Sequence, residues 1–201
     1  MKRADLTTFL ETLRAKHIYV FSGLDLMRLF GWSETSVTFL LHRYAKKGVV
    51  RRLKRGLYAL SGVTVSEFYV ANRLYEPSYV SLESALSFHH VIPEVVYGVT
   101  SVTAKATRSH KIGNQEYTYH KIKRQAFAGY EPVDQAGFTV LMARPEKAFV
   151  DYCYLVTKGA KPPLDRDRLR RDRLDANRVR KYADLFKSAR LKKLVADYLK
   201  I

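Results

Sequence analysis

Between Asp5 and Lys16 the apolar residues Leu6, Phe9, Leu10 and Leu13 recur at steps of three and four, which predicts an amphipathic helix. His17 to Phe21 then reads as a short extended segment. Ser22, a residue suited to capping, precedes a second apolar face of Leu24, Met27, Leu29 and Phe30, and Gly31 ends that run. Ser33 caps a third predicted helix. Its Val37, Leu40, Leu41, Tyr44 and Ala45 share one stripe, and Gly48 closes it. Two helices joined by a short turn match the helix-turn-helix pattern. Val49–Leu53 and Leu57–Leu60 read as paired strands around Lys54-Arg55-Gly56, so a hairpin follows at once and the whole reads as a winged helix.

If the stripe of the third helix is buried, Thr35, Ser36, Thr38, Phe39, His42, Arg43 and Lys46 face outward by subtraction. Ser and Thr near a helix N-terminus can reach base edges or phosphates. Phe39 is expected to pack under the hairpin rather than to meet a thymine methyl. The hairpin carries Arg51, Arg52, Lys54 and Arg55 at or beside its tip, a mutual repulsion that a phosphate backbone would offset. The candidate DNA-binding residues are therefore Ser33, Thr35, Ser36, Thr38, His42, Arg43 and Lys46, with Arg51, Arg52, Lys54 and Arg55.

Ser61-Gly62-Val63 is the expected hinge, dividing a winged-helix domain of residues 1–62 from an α+β domain of residues 63–201. In the second domain, Thr64 and Glu67 read as a capping box opening a helix that ends at Pro77. Tyr79-Val80 is a short strand, and Ser81 is expected to cap a helix from Leu82 to His90. Three strands are expected at Val95–Ala104, Glu116–Lys123 and Phe138–Met142, followed by a helix with Pro145 in its first turn. Helical segments close the chain. The expected fold is α+β: a winged helix-turn-helix, then a mixed α/β domain with a small sheet and C-terminal helices.

Charge sharpens this picture. The 201 residues hold 36 Lys and Arg against 19 Asp and Glu, a net of +17, which favours a polyanionic partner. Residues 1–60 and residues 161–201 each carry a net of +8, whereas residues 61–160 carry +1. In the tail, Lys187, Arg190, Lys192 and Lys193 form a secondary basic face. Simple solvation is the first reading of it; DNA, RNA or an acidic protein surface are the alternatives. One cysteine excludes an internal disulfide framework. Met1-Lys2-Arg3 leads into no apolar run, so no secretory signal is expected, nor a membrane partner, and the expected location is the cytoplasm.

Catalytic motifs are not found: no P-loop, dinucleotide fingerprint, zinc-protease helix or nucleophile elbow occurs. No catalytic residue, metal or cofactor is assigned. His89-His90 with Glu94 reads as structural, Cys153 as a buried thiol, and Asp165-Arg166-Asp167 lacks the phosphate-binding turn that a magnesium pair would need. Glu83 and Glu146 are expected to cap helices or to pair with Arg144.

Several stretches together resemble the AbiEi antitoxin family of type IV toxin–antitoxin systems. They are Gly31-Trp32-Ser33, Lys47-Gly48, Arg55-Gly56-Leu57-Tyr58-Ala59, residues 79–86 (YVSLESAL) and residues 143–151 (ARPEKAFVD). The resemblance implies a winged helix that binds inverted repeats in the promoter of its own operon and represses it. It also implies a C-terminal domain that counteracts a nucleotidyltransferase-type toxin, without need of a stable complex, in phage defence by abortive infection. The DNA contacts it implies fall on Ser36, Thr38, Arg43 and the hairpin cations. In the second domain it draws attention to Ser81, Glu83, Arg144, Glu146, Lys147 and Asp151.

Overall fold

Apolar spacing over the first sixty residues produces three helices and a three-stranded sheet. A computed structural model describes residues 5–200; residues 1–4, on which the reading of the N-terminal segment begins, lie outside the described residues. The chain divides into two compact units, Met1–Ser66 and Glu67–Ile201.

In the first unit, α1 (Leu6–Ala15), β1 (Val20–Ser22), α2 (Gly23–Phe30), α3 (Glu34–Lys46), β2 (Val50–Lys54) and β3 (Leu57–Leu60) follow one another. The extended segment expected from His17 begins only at Val20, because Ile18 donates its N–H to the Leu13 carbonyl and so prolongs the end of α1. Strand β1 then pairs antiparallel with β3, giving the order β1-β3-β2. Ser22 and Asp25 form a reciprocal capping box at the start of α2, and the Ser33 hydroxyl accepts from the Ser36 N–H at the start of α3. The core gathers Phe9, Leu13, Phe21, Leu26, Val37, Leu40, Leu41, Tyr44, Val50 and Leu60. Phe9 sits at its centre, with ring centroids 5.1 Å from Tyr44 and 6.1 Å from Phe21. Ala45 is exposed and not part of the stripe. It lies about 100° round the helix from Tyr44 and borders an open groove.

The second unit runs α4 (Glu67–Leu74), β4 (Ser78–Val80), α5 (Leu82–Phe88), β5 (Val99–Thr103), β6 (Arg108–Ile112), β7 (Gln115–Lys121), β8 (Tyr130–Gln135), β9 (Phe138–Ala143), α6 (Pro145–Thr157), α7 (Ala176–Asp184) and α8 (Ala189–Leu199). Its strands form one mixed sheet of order β6-β7-β5-β4-β9-β8. The pairs β5/β7 and β4/β9 are parallel. Alternation along β7 puts Tyr117 and Tyr119 on the face covered by α4, where Tyr117 donates to the Glu67 carboxylate and Tyr119 to the Ala71 carbonyl. Thr100 lies on the opposite face and bonds α5. Helix α6 is buried along almost its whole length between the sheet side and the α7–α8 pair. Buried Asn72 of α4 stands in for a strand: its amide accepts from Leu141 N–H at 2.6 Å and donates to Leu141 O at 3.2 Å.

Two expected caps belong elsewhere. Helix α4 starts at Glu67, so Ser66 precedes it instead of Thr64, and Glu67 receives the Tyr117 hydroxyl. The Ser81 hydroxyl does not cap α5 but donates to Asp151, and Thr100 replaces it: Thr100 Oγ1 accepts from Ser84 N–H at 3.0 Å. The strand expected from Val95 begins at Val99, because no strand pairs with residues 95–98, where only the Gln115 side chain donates to the Tyr97 carbonyl; Val95 is 79% exposed and Tyr97 92%.

Candidate nucleic-acid interface

Helix α3 buries Val37, Leu40, Leu41 and Tyr44, and a helix can bury only about half its circumference this way. Thr35, Thr38, His42, Arg43 and Lys46 are all exposed as a result, and Ser36 is half-buried. Ser33 and Ser36 are occupied in the cap, their hydroxyls 2.9 Å apart. The Arg43 guanidinium lies 5.2 Å from the Tyr44 ring centroid, which holds its charge beside the helix.

The hairpin meets this helix across a groove of about 600 Å³. Thr38, His42 and Glu34 line it from α3, and Arg52, Gly56 and Tyr58 from the hairpin. Gly56 turns the chain with φ +79, a conformation costly for any side chain at that corner. Arg52 pairs in register with Tyr58 and shares its face of the sheet, whereas Arg51 pairs with Ala59 and projects from the other face. Arg55 is exposed at the tip, and Arg52 Nε donates to the Lys54 carbonyl at 3.3 Å. The structure thus brings His42, Thr38 and Arg52 to one concavity and sets Arg51 apart from them. Among the described residues, no carboxylate pairs with Arg43, Lys46, Arg51, Arg52 or Arg55.

Phe39 is a correction: it does not pack under the hairpin but stands 72% exposed on α3. It lies about 100° round the helix from Thr38, on the side away from the groove that the hairpin borders. Glu34 and Tyr58, which line the groove, were not among the expected contacts; the groove itself is the only signal for them, and it exists only in the fold.

In the second unit the two motif stretches converge on one buried carboxylate. Asp151 receives Lys147 Nζ, the Ser81 hydroxyl at 2.9 Å and the Tyr79 hydroxyl at 3.0 Å, and both charged side chains are fully buried. Burial pushes Asp151 above the usual carboxylate range and Lys147 below the usual lysine range, while the ion pair opposes both shifts. Burial, with Asp151 beside it, keeps Tyr79 protonated. Tyr79 stacks on Tyr130 with centroids 4.5 Å apart. Sequence reasoning left Tyr79 out; its place two residues before Ser81 on the same strand face was the available signal. Gly129 (φ +79) lets this cluster close, since a Cβ there would lie 2.6 Å from the Tyr182 ring.

The remaining motif acids stand in the first turns of α5 and α6, and neither pairs with Arg144. Arg144 pairs with Glu131 at 2.6 Å, not with Glu83 or Glu146. Glu83 pairs with Lys161, and Glu146 accepts from the Asp175 N–H at 3.3 Å with Arg178 at 3.8 Å. Each acid takes the cation that the C-terminal segment lays over it, a long-range choice invisible in the local pattern. Cys153 is buried and its thiol pushed far up. Among the described residues no three His, Cys, Asp or Glu side chains are placed to hold a metal ion. In the tail, Lys192 pairs with Asp184 at 2.6 Å, while Lys187, Arg190 and Lys193 stay exposed. Among the described residues no helix is long and apolar enough to cross a membrane.

A helix-turn-helix with a cationic hairpin has one further finding to set beside it. Residues 9–61 match the family model for the AbiEi antitoxin transcriptional regulators. This AbiEi match agrees with the resemblance drawn from the sequence and falls wholly within the first unit. No curated protein matches the chain.

Proposed function

We propose that this protein is the antitoxin and transcriptional autorepressor of a type IV toxin–antitoxin operon. In this reading the winged helix binds inverted repeats of double-stranded operator DNA in the promoter. The second unit counteracts a nucleotidyltransferase-type toxin and performs no catalysis of its own. The observation that carries the DNA-binding part is the set of exposed cations without carboxylate partners on α3 and the hairpin, Arg43, Lys46, Arg51, Arg52 and Arg55, of which Arg52 lines the groove between them. A duplex satisfies such charges by releasing its own counterions.

The test is a titration of full-length protein with the DNA upstream of its own gene across a range of salt. About six phosphate contacts give a slope of log affinity against log salt near −5. A flat response would overturn the reading. The antitoxin part is tested separately, by co-expression with the neighbouring gene. Rescue of a growth arrest supports it; an arrest left unrelieved by the protein removes it.

A second reading is favoured by one observation. A cleft of about 470 Å³ in the second unit, lined among others by Glu83, Glu116, Tyr152 and Arg168, is large enough for a small ligand. Under that reading the protein is a plain winged-helix regulator whose second unit senses a ligand.

A further inference from the structure

Phe39 is the one large apolar side chain that α3 leaves in water, and the residues one helical turn to either side of it, Thr35, Ser36, His42 and Arg43, are polar or cationic. Lys46 follows one turn beyond. A single exposed ring is ordinary on a protein surface. This one differs in its place, at the middle of the face that the fold turns away from the core, with cations that no carboxylate neutralises. A second copy of the same face would bring Arg43 and Lys46 against their own counterparts, a repulsion that one pair of phenyl rings does not offset. A polyanion removes that repulsion. Within the major groove of a duplex, the apolar group available to a ring is the C5 methyl of thymine, and the cytosine edge lacks it.

We infer that Phe39 is a specificity-determining residue that packs on a thymine methyl in each operator half-site, selecting thymine over cytosine at that position. The inference rests on the DNA-binding reading above and adds to it the base that the centre of α3 reads. Thr38 and His42, which line the groove on the hairpin side, then flank this contact, while Arg43 and Lys46 hold the phosphates.

The experiment uses the full-length protein and a duplex that it selects from a randomised pool. Each thymine of that duplex is replaced in turn by deoxyuridine, which deletes the methyl and leaves base pairing intact. Wild-type protein should lose about fourfold in affinity at one thymine per half-site, the worth of one buried methyl-sized group. Phe39→Ala should bind the original duplex more weakly by a similar factor and be indifferent to uracil at that position, with its salt slope unchanged. Phe39→Leu should keep part of the thymine preference. Wild-type indifference to uracil at every position, with salt-dependent selection retained, would overturn the inference and leave the DNA-binding reading standing. Failure to select any duplex would instead remove the DNA-binding reading. Sedimentation of wild type and Phe39→Ala closes the remaining route: a self-association lost on substitution would make Phe39 a protein contact and overturn the inference.

Discussion

The two ends of the chain carry the same net charge of +8 and differ in how many of their cations meet a carboxylate. Around α3 and the hairpin, Arg43, Lys46, Arg51, Arg52 and Arg55 have no carboxylate partner among the described residues. In the second unit several cations meet a carboxylate: Lys147 meets Asp151, Lys161 meets Glu83, Arg168 meets Glu94, Lys192 meets Asp184 and Lys200 meets Asp197, while Arg170, Lys181, Lys187, Arg190 and Lys193 have none among the described residues. Equal net charge therefore does not mean equal attraction for a polyanion. What counts is which positive groups the fold leaves without a near neighbour of opposite sign.

Breaking a buried pair should have the largest effect. Lys147→Met leaves Asp151 enclosed and short of its cation, and should cost about 3–5 kcal/mol in chemical denaturation of the full-length protein. A loss below about 1 kcal/mol would show that the pair is not held as tightly as its burial indicates. Next comes the unpaired set. Arg52→Gln with Arg55→Gln should leave stability within about 0.5 kcal/mol. It should weaken binding to all duplex sequences alike and reduce the salt slope by about 2.

The same titration with Arg190→Gln and Lys193→Gln sharpens the contrast, because these tail residues flank a lysine already paired with Asp184. Their slope change should stay below about 1; a change equal to that of the hairpin pair would erase the distinction between the two ends. The smallest effect concerns pH. Burial, with Lys161 beside it and Glu83 opposing, holds His120 below its usual value. The unfolded chain then takes up a proton more readily than the folded one, so stability is present above about pH 6.5 and falls as pH drops below it. His120→Gln should flatten that part of a stability–pH profile.

Much of the first unit was legible because its pattern is local. Ser22, Gly31, Ser33, Gly48 and Gly56 punctuate a helical period that buries Val37, Leu40, Leu41 and Tyr44. The second unit was legible at its centre and not at its margins. Strands β5, β7 and β9 are rich in β-branched and aromatic residues and were expected, with shifted ends. The two unforeseen strands, β6 and β8, form the outer edges of the sheet. An edge strand has solvent on one side and tolerates charge and proline, so Arg108–Ile112 and Tyr130–Gln135, with Pro132 in it, look like loop in sequence.

By itself the sequence determined the helical and strand periods, the caps and turns of the first unit, and where positive charge accumulates, since each depends on residues within a few positions of one another. Tertiary structure alone decided which charges are cancelled. Asp151 meets Tyr79 and Ser81 from 70 or more positions away, and Glu83 meets Lys161 from 78. It also decided that Phe39 stays in water and that Arg51 and Arg52 face apart, because packing and strand register, not composition, fix what each side chain can touch.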